Sequence, residues 1–160
     1  MMTDAMTPEK IRDLVAGERV CTFSSVEGTR IRSHPMSPHF LKGEPTIWFM
    51  VEKGASKLCA IKADEDVTLA FGNGASGWYV SLMGRASVVV DKARVTQLWR
   101  APLKQYFDGP DDPKIVLLGF TADDADYWDG PNAVLAGIKM LKTAATGTPS
   151  DMGESGRVAM

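Results

Sequence analysis

The chain has 160 residues, of which 44% are hydrophobic and 24% are charged, and its formal net charge at pH 7 is -2. These values predict a single soluble globular domain and argue against a general nucleic-acid-binding surface. The sequence contains no apolar run of the about 20 residues that a membrane span needs, and its N-terminus does not resemble a signal peptide. Cys21 and Cys59 lie apart among apolar neighbours, which predicts two buried thiols in a reducing cytoplasm rather than a disulfide.

The start of the chain predicts a short helix and then a β-hairpin. Thr7-Pro8-Glu9 combines an N-cap residue, a proline at the first helical position and an early acid, and Gly17 ends the helix. Residues 19–26 and 29–36 are rich in β-forming side chains, and they flank the turn Glu27-Gly28. The pattern therefore predicts one helix followed by two antiparallel strands.

Two prolines mark the end of the second strand. Pro35 and Pro38 cannot donate to a strand ladder, which places residues 33–38 at a sheet edge or a strand end. A third apolar strand follows over residues 46–51, and a tight turn leads from it into a helical pattern over about residues 55–63. The sequence thus predicts a strand, a turn and a helix start in direct succession.

Lys57 lies in the first turn of that predicted helix. Free backbone N–H groups and the positive end of the helix dipole converge at such a position, which suits a phosphate group. A cation there opposes the dipole unless an anion joins it, so the lysine indicates a bound anion. A solvated surface lysine is the alternative, and this segment leaves both interpretations open.

The second half of the chain predicts three more strands. They cover residues 66–71, 78–90 and 114–120, and residues 124–128 are able to extend the last of them. Gly84 lies in the middle of the longest strand. A glycine in that position predicts a bulge or a sharp bend, as at the corner of a barrel.

Helical segments separate and follow these strands. Asp91 is placed to cap a helix that Pro102 should kink or split. Pro131 is placed to open a last helix that ends at about Lys142. The remaining segment, residues 143–160, is small, polar and glycine-rich, which predicts a disordered tail after a single domain over residues 1–142.

The order of these elements predicts the fold class. Six strands in hairpin order with short helices at the corners favour a mainly β, α+β fold built as an antiparallel barrel. Strands and long helices do not alternate regularly, so the pattern disfavours a doubly wound parallel sheet.

Few residues stand out as carriers of chemistry. His34 and His39 would face opposite ways on one strand, so their spacing predicts no metal site. Signatures of nucleotide-binding loops, zinc peptidases and serine hydrolases are absent from the sequence. Trp128, at a strand end, is the better candidate for a pocket wall that stacks on a planar ring, whereas the helical spacing of Trp99 is typical of a core residue.

The ordered set of motifs resembles the general stress protein branch of the pyridoxamine 5'-phosphate oxidase-like flavin-binding split barrels. The similarity extends from the first helix to Pro131, and the two Trp-containing segments around the turn of residues 108–113 are its most specific part. The matching pieces are Arg32-Ser33-His34-Pro35-Met36, Ile47-Trp48-Phe49-Met50-Val51 with Lys57, Tyr79 to Ala86, Leu98-Trp99, Tyr106 to Pro113, Leu117-Leu118 and Asp126 to Gly130.

This resemblance implies a six-stranded split barrel that forms a homodimer and binds FMN at the subunit interface. The family's Arg-Pro-Met stretch, on the strand that edges the flavin, corresponds here to His34-Pro35-Met36. Its two hydroxyl positions and its lysine for the phosphate correspond to Val51, Ala55 and Lys57, so two hydroxyls are lost. What this chain then offers the phosphate is Lys57, the Ser56 hydroxyl, backbone N–H groups and Arg32 or His34.

The resemblance further implies a cytoplasmic, FMN-binding general stress protein that acts as a flavin-dependent oxidoreductase on a substrate the sequence does not reveal. No residue can be named as a catalytic base. The substituted phosphate positions support an alternative, a non-catalytic stress protein that binds flavin weakly or not at all. Another phosphate-bearing planar cofactor, such as a deazaflavin, is a further alternative.

Overall fold

A computed structural model describes residues 5–160, apart from the side chain of residue 133. Residues 1–4, which the predicted domain includes, lie outside the described residues. The helices found are α1 (Pro8–Ala16), α2 (Ser56–Ala63), α3 (Lys92–Leu98) and α4 (Ala133–Thr146), with a 3-10 helix over Ala101–Gln105. The strands found are β1 (Cys21–Glu27), β2 (Arg30–Met36), β3 (His39–Phe40), β4 (Ile47–Glu52), β5 (Asp66–Asn73), β6 (Trp78–Val89), β7 (Ile115–Asp129) and β8 (Glu154–Ala159).

All strand pairs in the sheet are antiparallel, in the order β2-β1-β5-β6-β7-β4-β3, with β8 added alongside β7. The path ends at β2 and β3 rather than closing into a ring. The predicted mainly β, antiparallel fold with short helices is therefore confirmed. The two strands beyond the predicted six are the two-residue β3 and the C-terminal β8. Among the described helices, none has the length and apolarity to span a membrane.

Gly84 bends the longest pair of strands. The register between β6 and β7 shifts between Met83 and Gly84, which is the predicted bulge. A Cβ atom on Gly84 would lie 2.1 Å from the carbonyl oxygen of Thr121 in β7. The two backbones can approach this closely only because residue 84 has no side chain. On one side of the bulge β7 pairs with β4, and on the other side it pairs with β8.

The predicted helix signals act as expected. The Thr7 side chain accepts a hydrogen bond from the Lys10 N–H, and the Asp91 side chain accepts one from the Arg94 N–H. The helical region after Asp91 is split, because α3 ends at Leu98 and a separate 3-10 helix contains Pro102. The predicted edge position of Pro35 is also confirmed, since β2 ends the sheet.

The prediction of a disordered tail over residues 143–160 is wrong. Helix α4 continues to Thr146, and β8 pairs along the second half of β7. The Arg157 guanidinium makes two hydrogen bonds to the Asp126 carboxylate, at 2.7 and 3.2 Å. The composition of this segment gives no strand signal, because Val158 is the single apolar side chain of β8 that packs against the larger cluster. The rest of β8 is held by ladder hydrogen bonds and by the ion pair of Arg157 with Asp126.

The core divides into two clusters. The larger one lies on the inner face of the sheet, where the rings of Phe23 and Phe49 meet edge to face with centroids 5.3 Å apart. The smaller one packs α3 against β4 and β7 through Trp48, Leu98 and Leu117. Trp99 packs against this second cluster, as the helical spacing predicted.

The two cysteines differ in their surroundings. Cys21 is buried in the larger cluster, and burial raises the pKa of its thiol to about 12. Cys59 is exposed on α2, so the prediction that both thiols are buried is wrong for this residue. Its apolar neighbours Leu58 and Ala60 are the residues that α2 turns inward. Cys59 is therefore the thiol that reagents in solution can reach.

Candidate functional site

The predicted succession of strand, turn and helix start is present. Gly54 makes the turn after β4 with a φ of 95°, and Ala55 is the N-cap of α2, without a side-chain hydrogen bond to the helix. Ser56 is exposed at the first helical position, and Lys57 is the second. The Leu58 N–H already donates to the Ala55 carbonyl oxygen at 3.0 Å. The N–H groups of Ser56 and Lys57, at the first two helical positions, are those that an anion at this helix start would meet.

The Lys57 ammonium group is partly buried and points across to β2. Its Nζ atom donates to the Sδ atom of Met36 at 3.7 Å, a weak acceptor for a cation. No carboxylate of residues 5–160 lies within ion-pair distance of Lys57. Burial lowers the pKa of Lys57, and the negative charge of Glu27 opposes this effect. A cation that is desolvated without an ion pair is suited to an anionic ligand.

The hairpin of β1 and β2 presents a polar patch beside this lysine. Ser25 lies opposite Arg32 in the register, and residues opposite one another on paired strands point to the same face. Glu27 and His34 share that face by alternation. We call Ser25, Glu27, Arg32 and His34 the hairpin cluster; it continues the inner face that Phe23 and Met36 bury.

The hairpin cluster is incompletely hydrogen-bonded. Glu27 Oε2 pairs with Arg32 Nε at 2.8 Å. In the described part of the chain, Ser25 Oγ, Glu27 Oε1 and His34 Nε2 are buried and have no hydrogen-bond partner. Ser25 as a whole is only 2% exposed. Leaving a buried polar atom unpaired costs about 1–3 kcal/mol, and folded proteins rarely accept several together. Three such atoms on one hairpin face indicate that something polar completes this region.

The structure brings some of the predicted site residues together and separates others. Lys57 and Met36 are in contact, and Arg32 and His34 lie on the same face of β2 as Met36. Pro35 points to the opposite face of β2 and is exposed. The sequence patterns did not identify Ser25 or Glu27, although alternation from Phe23 along β1 would have placed both on the inner face.

Val51 is a core residue. It is 5% exposed and belongs to the larger core cluster, where it pairs with Val116 of β7. A hydroxyl at this position would therefore be surrounded by apolar side chains. The correspondence of Val51 with a phosphate-binding hydroxyl stays a prediction from the resemblance, and the valine itself has no group that could donate to a phosphate.

Trp128 lies far from Lys57 within one chain. It is 45% exposed near the end of β7, opposite Tyr79. Twelve residues of strand separate it from Val116, the partner of Val51, which is a length of about 40 Å along β7. Within one chain, Trp128 and the strand pair that leads into α2 are therefore at opposite ends of β7.

The histidines lie on different strands rather than on one. His34 belongs to β2, and His39 belongs to β3, opposite Trp48. Burial and the positive charge of Arg100 lower the pKa of His39. Within the described residues, no three histidine, cysteine, aspartate or glutamate side chains are grouped as metal ligands would be.

Ala55→Ser should stabilise the protein whether or not a ligand binds. A serine at this N-cap can accept a hydrogen bond from the first turn of α2, which is worth about 1 kcal/mol in the free energy of unfolding. Urea denaturation of the ligand-free protein measures the change. Ala63→Ser, at the other end of α2, is the matched control and should give no gain. Equal effects for the two variants would contradict the assignment of Ala55 as the cap.

Comparison with known proteins identifies the family. The model for proteins like pyridoxamine 5'-phosphate oxidase matches residues 6–151. General stress protein 26 of Bacillus subtilis (strain 168) is 25% identical over 119 residues, which are 72% of this chain and 84% of that protein. A crystal structure of a protein provisionally named general stress protein 26, from Jannaschia sp. CCS1, superposes with a TM-score of 0.75 at 24% identity, covering 92% of this chain and 94% of that one.

A second solved structure is that of the general stress FMN/FAD binding protein from Xanthomonas citri. It superposes with a TM-score of 0.66 at 25% identity, and the match covers 75% of this chain and 86% of that one. The family match spans nearly all of the described fold, including the start of α2 and the hairpin cluster. This chain therefore belongs to the pyridoxamine 5'-phosphate oxidase-like family.

Proposed function

We propose that this chain is a flavin-binding general stress protein that holds FMN with the phosphate at the start of α2. The observation that carries the proposal is the partly buried Lys57 ammonium group, which has no ion-pair partner among the described residues and lies beside the incompletely bonded hairpin cluster. The relative from Xanthomonas citri, described as FMN/FAD binding, supports flavin as the ligand class.

The residues present fit such a ligand. Lys57, the Ser56 hydroxyl and the N–H groups of the first turn of α2 would hold the phosphate. Because β2 ends the sheet, the backbone groups on its free edge are available to the polar edge of the ring. The unpaired Ser25 and His34 atoms would find partners in the ligand or in waters that bind with it. A bound flavin would supply the electron chemistry, while the protein orients it and sets its surroundings.

We propose that a second copy of the chain completes this site. Trp128 would stack on the ring from a partner, because in its own chain it lies at the end of β7 opposite to the strand pair that leads into α2. The outer face of β2, β1, β5 and β6 is suited to such a contact. It carries two cross-strand rows of uncharged residues: Pro35, Thr22, Ala70 and Ser81, and then Ser33, Ser24, Thr68 and Met83. Light scattering should give the mass of two chains, and a stable monomer would remove Trp128 from the site.

The finer proposal is a flavin-dependent oxidoreductase, because the family is named for an oxidase and a bound flavin supplies electron chemistry. A second candidate function is a flavin-binding protein without catalysis. The observations that favour it are the buried Val51 and the uncapped Ala55 at positions where the resemblance implies hydroxyls. Loss of those contacts weakens the hold on phosphate without altering the fold.

The absorbance spectrum of the purified protein is the first test. A yellow protein with flavin bands, or a colourless one whose fluorescence titration shows saturable FMN binding, supports the proposal. Steady reduction of the bound flavin by a nicotinamide nucleotide would favour the oxidoreductase over the non-catalytic alternative. A protein that binds neither FMN nor riboflavin would overturn flavin binding, and titration with a phosphate-bearing deazaflavin would then identify a different planar cofactor.

A further inference from the structure

The Arg32 guanidinium group is already engaged by an anion of the same chain. Its Nε atom lies 2.8 Å from Glu27 Oε2, and the two side chains are 60% and 21% exposed. The carboxylate is therefore the more buried partner, and it is anchored on β1 at the end of the hairpin. In most surface ion pairs both side chains are exposed to solvent. In this pair only the arginine is largely exposed.

Glu27 also acts on the second cation of the region. It is the charge that opposes the effect of burial on Lys57. Lys57 and Arg32 together carry two positive charges on the inner face of the sheet, and Glu27 carries one negative charge on the same face. A phosphate that approached both cations would meet this carboxylate at close range, where like charges repel.

We propose that Glu27 is an internal competitor for the ligand's phosphate: by holding Arg32, it lowers the affinity for phosphate-bearing flavins relative to flavins without a phosphate. The inference rests on the proposed function and adds a specificity determinant to the same site. Glu27 does not touch the ring in this scheme and acts through Arg32. An FMN phosphate must displace the carboxylate from Arg32 or forgo that contact, whereas riboflavin leaves the ion pair in place.

Glu27→Gln isolates the charge, because glutamine has nearly the same shape and can still accept a hydrogen bond from Arg32. FMN affinity should rise about ten-fold, because Arg32 becomes available for a charge-assisted contact with the phosphate. Riboflavin affinity should not change. Glu65→Gln is the matched control. It removes the same charge from an exposed position beyond the far end of α2 and should alter neither affinity.

The variants are titrated by flavin fluorescence at low and high salt, after thermal unfolding of the ligand-free proteins has shown that they are folded. The gain in FMN affinity should shrink at high salt, because it is electrostatic. Most of it should also disappear in the background of Arg32→Gln, since Glu27 acts mainly through that residue. If Glu27 had only a structural role, its replacement would change the affinities for FMN and riboflavin by the same factor. That change would depend neither on the salt concentration nor on Arg32.

The remaining outcomes separate this inference from the proposed function. If Glu27→Gln weakens the binding of FMN and riboflavin alike, Glu27 supports the whole site instead of opposing the phosphate, and the inference is wrong. If the variant binds both flavins as the parent does, Arg32 does not contribute to the phosphate site and the inference is again wrong. In both cases flavin binding itself stands. If the parent and all variants bind neither flavin, the proposed function and this inference fall together.

Discussion

Gly84→Ala should lower the free energy of unfolding by about 3 kcal/mol, the upper end of what overpacking costs. The added methyl group would lie 2.1 Å from the Thr121 carbonyl oxygen and 2.8 Å from the Cα atom of Ala122. Both are backbone atoms of β7, so no side-chain rotation can relieve the contact. The bulge would have to open at the point where β7 changes partner from β4 to β8. Guanidinium denaturation measures the change.

The matched control is Gly109→Ala. A Cβ atom at Gly109 would have no neighbour within 4 Å, and its backbone does not require a positive φ. This variant should remain within about 0.5 kcal/mol of the parent, as surface substitutions usually do. If the two variants unfold at the same denaturant concentration, the bulge yields more easily than its geometry indicates.

Local signals made most of the fold predictable from the sequence. The turn at Glu27-Gly28, the capping residues Thr7 and Asp91, and the mid-strand Gly84 each specify a conformation within a few residues of themselves. The strand β8 gave no such signal. Its pairing with β7 depends on contacts such as Arg157 with Asp126, which are distant in the sequence and carry no hydrophobic period.

The parts of the site that follow from the succession of neighbouring elements along the chain were predictable. The parts that follow from the pairing register of the strands were not. Lys57 at a helix start follows from the succession of strand, turn and helix, and its contact with Met36 joins two of the motifs that carry the resemblance. Glu27 was assigned to a turn, and only the pairing of β1 with β2 shows that its side chain faces inward. Val51 was assigned to the phosphate site by sequence correspondence, yet it is buried in the core. A sequence correspondence does not reveal how deeply a side chain is buried.

Lys57→Ala should reduce FMN affinity by about ten- to a hundred-fold, the worth of a charge-assisted hydrogen bond to a phosphate. Riboflavin affinity should be unchanged, because riboflavin has no phosphate. The fold should tolerate the substitution. Among the described residues the ammonium group donates only to Met36 Sδ, and the variant removes a partly desolvated charge rather than one half of an ion pair.

Lys62→Ala distinguishes the specific contact from a general loss of positive charge. Lys62 is exposed in the last turn of the same helix. The control therefore replaces the same residue type in the same helix and changes the net charge by the same amount. A general electrostatic effect would weaken FMN binding in both variants and would vanish at high salt. A direct phosphate contact predicts a large effect for Lys57 alone, part of which persists in salt. If Lys57→Ala binds FMN as the parent does, the phosphate is held elsewhere, and the start of α2 is not the cofactor site.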